Sequence, residues 1–167
     1  MLTSLQSLAR RVGRRASTPA VDEAFVADVR ARLEPSLEEA GFAFDRAEPL
    51  AAAAGAAAPT GRRGVAVRYQ VDPEPFLARF PGLAGHLRSE GDPLELSVML
   101  DAARGTVRTE LESFELAALL AVVRAGPGAP ARRRELESGA SEPLPVELAL
   151  DRAVELLRRL VDAAAAR

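Results

Sequence analysis

Two runs between Leu94 and Leu111 alternate apolar and polar residues, save at Met99 and Thr109, on either side of the turn segment Asp101-Ala102-Ala103-Arg104-Gly105. No other feature restricts the fold as tightly. A period of two is the strand signature, and a shift of one residue would turn every leucine and valine of the run to solvent. With Ala102 to Gly105 as the loop, Asp101 faces Thr106 and the register follows from there. Leu100 then meets Val107, Val98 meets Thr109 and Leu96 meets Leu111 on the core face. On the opposite face Met99 meets Arg108, Ser97 meets Glu110 and Glu95 meets Glu112. Like charges directly opposite one another destabilise a sheet, so the last pair requires compensation. Arg68, on the polar face of the preceding strand, supplies it if that strand is adjacent.

That preceding strand is Val65 to Asp72, with Val65, Val67, Tyr69 and Val71 on one face and Ala66, Arg68 and Gln70 on the other. Upstream, Ser17-Thr18-Pro19 reads as a helix start, followed by a stripe of Val21, Phe25, Val29, Leu33 and Leu37. Pro35 is expected to kink or interrupt this helix near Glu34, and Gly41 to end it in the left-handed conformation. Phe42-Ala43-Phe44 then alternates like a strand. Asp72-Pro73-Glu74-Pro75 turns the chain into a second helical pattern carrying Phe76, Phe80, Leu83 and Leu87, which Pro81-Gly82 splits into two short turns. Phe114 to Arg124 is apolar nearly all round and reads as a buried helix. From Pro145 a long helix carries Val146, Leu150, Val154, Leu157 and Val161 as its seam, with Leu148, Leu156 and Leu160 adding apolar area.

The expected architecture is α+β: a four-stranded antiparallel sheet made of two hairpins, with helices packed on one face and a long C-terminal helix. Residues 1–17 read as a basic tail and 18–167 as a single domain with flexible loops at 47–64 and 126–143. The helix-plus-hairpin order resembles, in topology, the secretion-chaperone type of α+β fold and various small bacterial immunity proteins. No motif accompanies that resemblance, and a shared topology does not fix a function.

Composition narrows the chemistry. The chain has 167 residues, no cysteine, one histidine and a net charge of −2. Lysine, isoleucine and asparagine are all absent, and every one of the 22 basic residues is arginine. These missing residues share AT-rich codons, so the bias marks a GC-rich genome, as of a high-GC bacterium, before it marks a function. Without cysteine there is no disulfide, thiolate metal site or cysteine nucleophile. His86 alone cannot build a zinc site. The chain has no nucleophile elbow, phosphate-cradling glycine loop, dinucleotide fingerprint or lysine for Schiff-base chemistry. No catalytic residue, metal or cofactor is assigned on these grounds.

Arg132-Arg133-Arg134 precedes Glu135 and Glu137 and has no interleaved aromatics, so it reads as a solvated loop and no nucleic-acid partner is expected. The longest strongly apolar run, Leu116 to Val123, falls far short of the ~20 residues that span a bilayer, and no membrane partner is expected. Arg10, Arg11, Arg14 and Arg15 form an acid-free basic leader. The expected location is cytoplasmic, and organellar only for a GC-rich eukaryotic source.

Three functions remain. The first is a non-enzymatic module that binds another protein or a second copy of itself as a weak homodimer. Its surfaces are the polar sheet face, Arg68, Glu95, Arg108, Glu110 and Glu112, and the last helix at Leu156. The second is a carrier for a small apolar ligand, between the sheet and the helix bearing Phe76 and Phe80. The third is a carboxylate-dependent enzyme using Glu95, Glu112 and Arg68. A flat charged face, a deep pocket or converging carboxylates discriminate among them.

Overall fold

A computed structural model describes residues 22–50, 64–87, 91–102, 104–112, 114–125 and 144–165. The basic leader, the arginine triplet and most of both expected loops lie outside the described residues.

Helix α1 spans Glu23–Glu39. Ser17, Thr18 and Pro19 lie outside the described residues, and the cap is Asp22, whose carboxylate accepts from the Phe25 amide at 3.0 Å. Pro35 does not interrupt α1, which runs on through it for another turn. The proline removes one amide donor, but it stands on an exposed position, while Leu33, Ser36 and Leu37 around it are buried and hold the turn against the core. Gly41, at φ 94°, ends the helix as expected. Its amide donates to Glu38 O at 2.9 Å and that of Phe42 to Leu37 O at 2.8 Å, the paired bonds of a Schellman closure.

Strand β1 (Ala43–Pro49) pairs antiparallel with β2 (Val65–Val71), so Ala47 to Pro49, expected in a loop, are strand. An alanine, a glutamate and a proline carry little strand propensity, and only pairing with Val67, Ala66 and Val65 reveals them. Helix α2 (Pro73–Arg79), capped by Asp72, is followed by a single 3-10 turn at Pro81–Leu83, the split foreseen at Pro81-Gly82. Strands β3 (Leu94–Asp101) and β4 (Thr106–Leu111) form the hairpin with six of the seven anticipated pairs, from Leu96↔Leu111 to Asp101↔Thr106, and without Glu95↔Glu112.

Two further strands of two residues each bring the described sheet to six. β5 (Phe114–Glu115) pairs with the end of β4 and leads directly into α3 (Leu116–Ala125). β6 (Leu144–Pro145) pairs with the start of β4 and leads into the last helix, α4 (Val146–Ala165). The expected count of four strands is thus corrected: the path is β1-β2-β3-β4-β5, with β6 beside β5 on the outer edge of β4. Segments of two residues are too short to show a period.

One apolar cluster joins the helices to the sheet. Phe25, Val29, Leu33 and Leu37 of α1, Val67 and Tyr69 of β2, Leu96 and Val98 of β3, Leu119 of α3 and Leu150 and Leu157 of α4 belong to it. Leu33 is fully buried, and truncating it to alanine is expected to cost about 2–5 kcal/mol. Arg32 fastens α1 to α4, its guanidinium reaching Asp151 at 3.2 Å and also Glu147. No helix among the described residues is long and apolar enough to cross a membrane.

Candidate functional site

The second face of the sheet carries the charged residues, and its geometry begins with an irregularity in β1. Phe44 pairs with Tyr69 and Arg46 with Arg68, so Asp45 is an extra residue, a β-bulge. The bulge puts Phe44 and Ala47 on the core side and turns Arg46 and Glu48 to the opposite face. There Arg46 stands directly across from Arg68. Two like charges in register destabilise a sheet unless anions intervene, and two carboxylates do.

Arg46 Nε donates to Glu48 at 3.2 Å and Arg46 Nη2 to Glu95 at 3.1 Å. Arg68 donates to the same two glutamates, through Nε to Glu48 and Nη1 to Glu95. The result is a closed, net-neutral ring of two arginines and two carboxylates drawn from β1, β2 and β3. Arg68 Nη1 also reaches Ser97 Oγ at 2.9 Å, across the β2–β3 ladder. Hydrogen bonds from Arg68 and then Arg46 hold the Glu48 carboxyl below its ordinary value of 4.5, and the bond to Glu48 raises Arg46.

The ring is partly shielded: the Arg68 and Glu95 side chains retain 21% and 29% of their exposure, against 61% for Arg108 at the rim. Arg108 approaches Glu110 at 3.4 Å, and Glu110 lies opposite Glu115 across the β4–β5 ladder. Three arginines (46, 68, 108) therefore face five carboxylates (45, 48, 95, 110, 115), and the rim toward β5 is acidic. Arg68, Glu95, Arg108 and Glu110 share this face, as their alternation indicated. Arg46 and Glu48 were missed because the bulge breaks the period of two.

Glu112 is placed differently. It leaves the ladder at φ 49°, and its carboxylate accepts from the Glu95 amide while its own amide donates to Glu95 O at 3.0 Å. The expected Glu95/Glu112 carboxylate pair is thus not formed: one carboxylate serves a backbone amide and the other serves Arg46 and Arg68. Leu156 is half-buried against the core beside a surface cavity, not on the outer side of α4. That outer side is charged, with Glu147, Asp151, Glu155, Arg158, Arg159 and Asp162 exposed, while Arg152 is exposed at the cavity beside Leu156. Leu148 is its exposed large apolar side chain among the described residues.

Phe76 and Phe80 fill core. Their ring centroids lie 4.8 Å apart, Phe42 meets Phe76 edge-on at 5.4 Å, and both are 1% exposed, so no ligand space opens between them. His86 is half-buried beyond the 3-10 turn, and among the described residues no group of three potential metal ligands assembles. Tyr69 presents a buried hydroxyl without a hydrogen-bond partner among the described residues, and burial pushes its pKa far above the ordinary range.

The free strand edges are guarded. β1 carries a bulge, a terminal proline and charged side chains, and β4 is capped at both ends by β5 and β6. Such edges disfavour the addition of a foreign strand, which leaves side chains, not backbone, to do any recognising. No protein-family model, no curated protein and no solved structure matches the chain.

Proposed function

We propose that the chain is a non-enzymatic protein-binding module whose contact surface is the charged face of the sheet. The observation that carries this reading is the placement of the ion ring: Arg46, Glu48, Arg68 and Glu95 lock one another in position on the face opposite the helices. Side chains already held by their neighbours lose little freedom when a partner arrives, which favours association. The excess of carboxylates over arginines on this face suits a partner with basic groups, and charge of this kind governs encounter and specificity more than affinity. The Glu95 and Glu112 carboxylates serve different partners, two arginines and a backbone amide, which weighs against the enzyme reading that joined them.

The test is cross-linking of the whole chain in an extract of its source, followed by identification of the captured protein. Glu110→Arg turns the Arg108–Glu110 pair into two cations and leaves the ring intact, while Glu155→Arg alters the far side of α4. A partner kept by the Glu155 variant and lost by the rim variant supports the reading. Equal capture by both, or no partner, overturns it.

A further inference from the structure

A gap in the outer edge of β4 opens into a cavity of about 270 Å³. β6 pairs with Thr106 and Val107, β5 pairs with Glu110 and Leu111, and between them Arg108 and Thr109 have no strand partner on that side. Helix α4 crosses the gap with the small residues Ala149 and Ala153, which leave the space unfilled. The apolar part of the wall includes Met99, Leu144 and Leu156. Arg104, Arg108 and Arg152 supply three guanidinium groups at the same cavity.

These three cations are not equivalent. Arg104 approaches Asp101 at 3.8 Å and Arg108 approaches Glu110 at 3.4 Å. The two acids of the described wall, Asp101 and Glu115, are both engaged in interactions. Arg152 has no ion pair or hydrogen bond to any described residue, although Glu155, three residues on along α4, pairs with Arg159 instead. One uncommitted guanidinium beside an apolar wall complements one negative charge on an apolar body. A dianionic phosphate would require a second free cation or a row of backbone amides, and neither is present among the described wall groups.

We propose that this cavity binds a small amphipathic monocarboxylate, with its head on Arg152 and its body against Met99, Leu144 and Leu156. The volume lies just below the roughly 300–1,000 Å³ of drug-sized sites, which restricts the ligand to a short chain or a single ring. Planar, two-pronged donation by arginine matches a carboxylate. The cavity shares Arg108 and Glu115 with the rim of the sheet face, but the proposal does not rest on the sheet-face reading, and its test at Arg152 touches α4 alone.

Sodium octanoate, titrated calorimetrically into the full chain at neutral pH and low salt, is the probe. Octanol, octylamine and inorganic phosphate are run as comparisons. Octanoate is expected to bind at least tenfold more tightly than octanol, with no measurable heat from octylamine or phosphate. Arg152→Gln is expected to erase the advantage over octanol and leave the unfolding midpoint in place. Ala153→Leu, which fills the cavity, is expected to abolish binding of both. If it fails to fold, Leu156→Ala, which enlarges the wall, replaces it and is expected to weaken both ligands alike. Absence of octanoate binding at millimolar concentration, equal binding of octanoate and octanol, or retention of the preference in Arg152→Gln overturns the proposal.

Discussion

Glu112 turns back from the end of β4 and accepts a hydrogen bond on its side-chain carboxylate from the backbone amide of Glu95. The chain thereby closes the end of the β3–β4 hairpin with a side chain where the ladder runs out. The left-handed conformation at φ 49° costs a non-glycine residue roughly 1–2 kcal/mol, and the bond to the Glu95 amide offsets it.

Glu112→Ala removes the bond and keeps the strained backbone, whereas Glu112→Gly removes the bond but adopts the conformation freely. The alanine variant is expected to lose about 1–2 kcal/mol of stability and the glycine variant about 1 kcal/mol less than that. Urea unfolding of the three chains measures both differences. Equal losses would show that the backbone conformation carries no strain.

Acid should act through Glu48. Its folded pKa lies below 4.5 because Arg68 and Arg46 donate to it. The contribution to stability is therefore fully present above the unfolded value and is lost as pH falls through the lower folded value. Glu48→Gln is expected to give a shallower decline in stability below pH 4.5 than the parent, read from urea midpoints at a series of pH values. Parallel declines would remove Glu48 from the acid response.

The hydroxyl of Tyr69 is buried without a partner among the described residues. Deleting such a group removes a desolvation penalty and no bond, so Tyr69→Phe is expected to leave stability unchanged or raise it by about 1 kcal/mol. The edge contact with Phe44, at 5.8 Å between ring centroids, survives the change. A loss exceeding 1 kcal/mol in urea unfolding would reveal a partner for the hydroxyl in solution.

Gly64 is required by space. A Cβ built there lies 2.4 Å from the Leu100 carbonyl oxygen and 3.1 Å from Leu50 Cδ1, while the Gly64 carbonyl accepts from the Leu50 amide at 2.8 Å. Gly64→Ala is expected to cost on the order of 1–3 kcal/mol by forcing β2 away from β3. Gly85→Ala, where a Cβ meets nothing within 4 Å, is the matched control. Thermal unfolding of both variants makes the comparison.

The hairpin register was legible over six pairs because alternation and a short turn leave a single solution, and it failed at the seventh, Glu95 with Glu112. Adjacency of β2 and β3 made the contact of Arg68 with Glu95 legible, although no Glu95–Glu112 pair is there to neutralise. Arg46 and Glu48 were illegible for a definite reason: with Asp45 inserted as a bulge, Phe44 and Ala47 share a face although three residues apart, and no periodic reading recovers that. Glu112 was carried one residue too far along the ladder, since glutamate gives no warning of a left-handed turn. The cavity depends on two-residue strands and on Ala149 and Ala153 being small where α4 crosses the gap, and such spatial coincidences leave no trace along the chain.

Arg32 meets Glu147 and Asp151, which lie 115 and 119 residues further along the chain. During synthesis at roughly 5–20 residues per second, α1 emerges on the order of ten seconds before the helix that covers it. The hairpin of β3 and β4 is local and can form in that interval, and β1 and β2 can meet α1, but the flank of α1 that packs on α4 must wait. The nascent chain therefore carries a helix only partly covered for much of its translation. The acids and arginines at the α1–α4 seam act last, as the latch that ends that exposure.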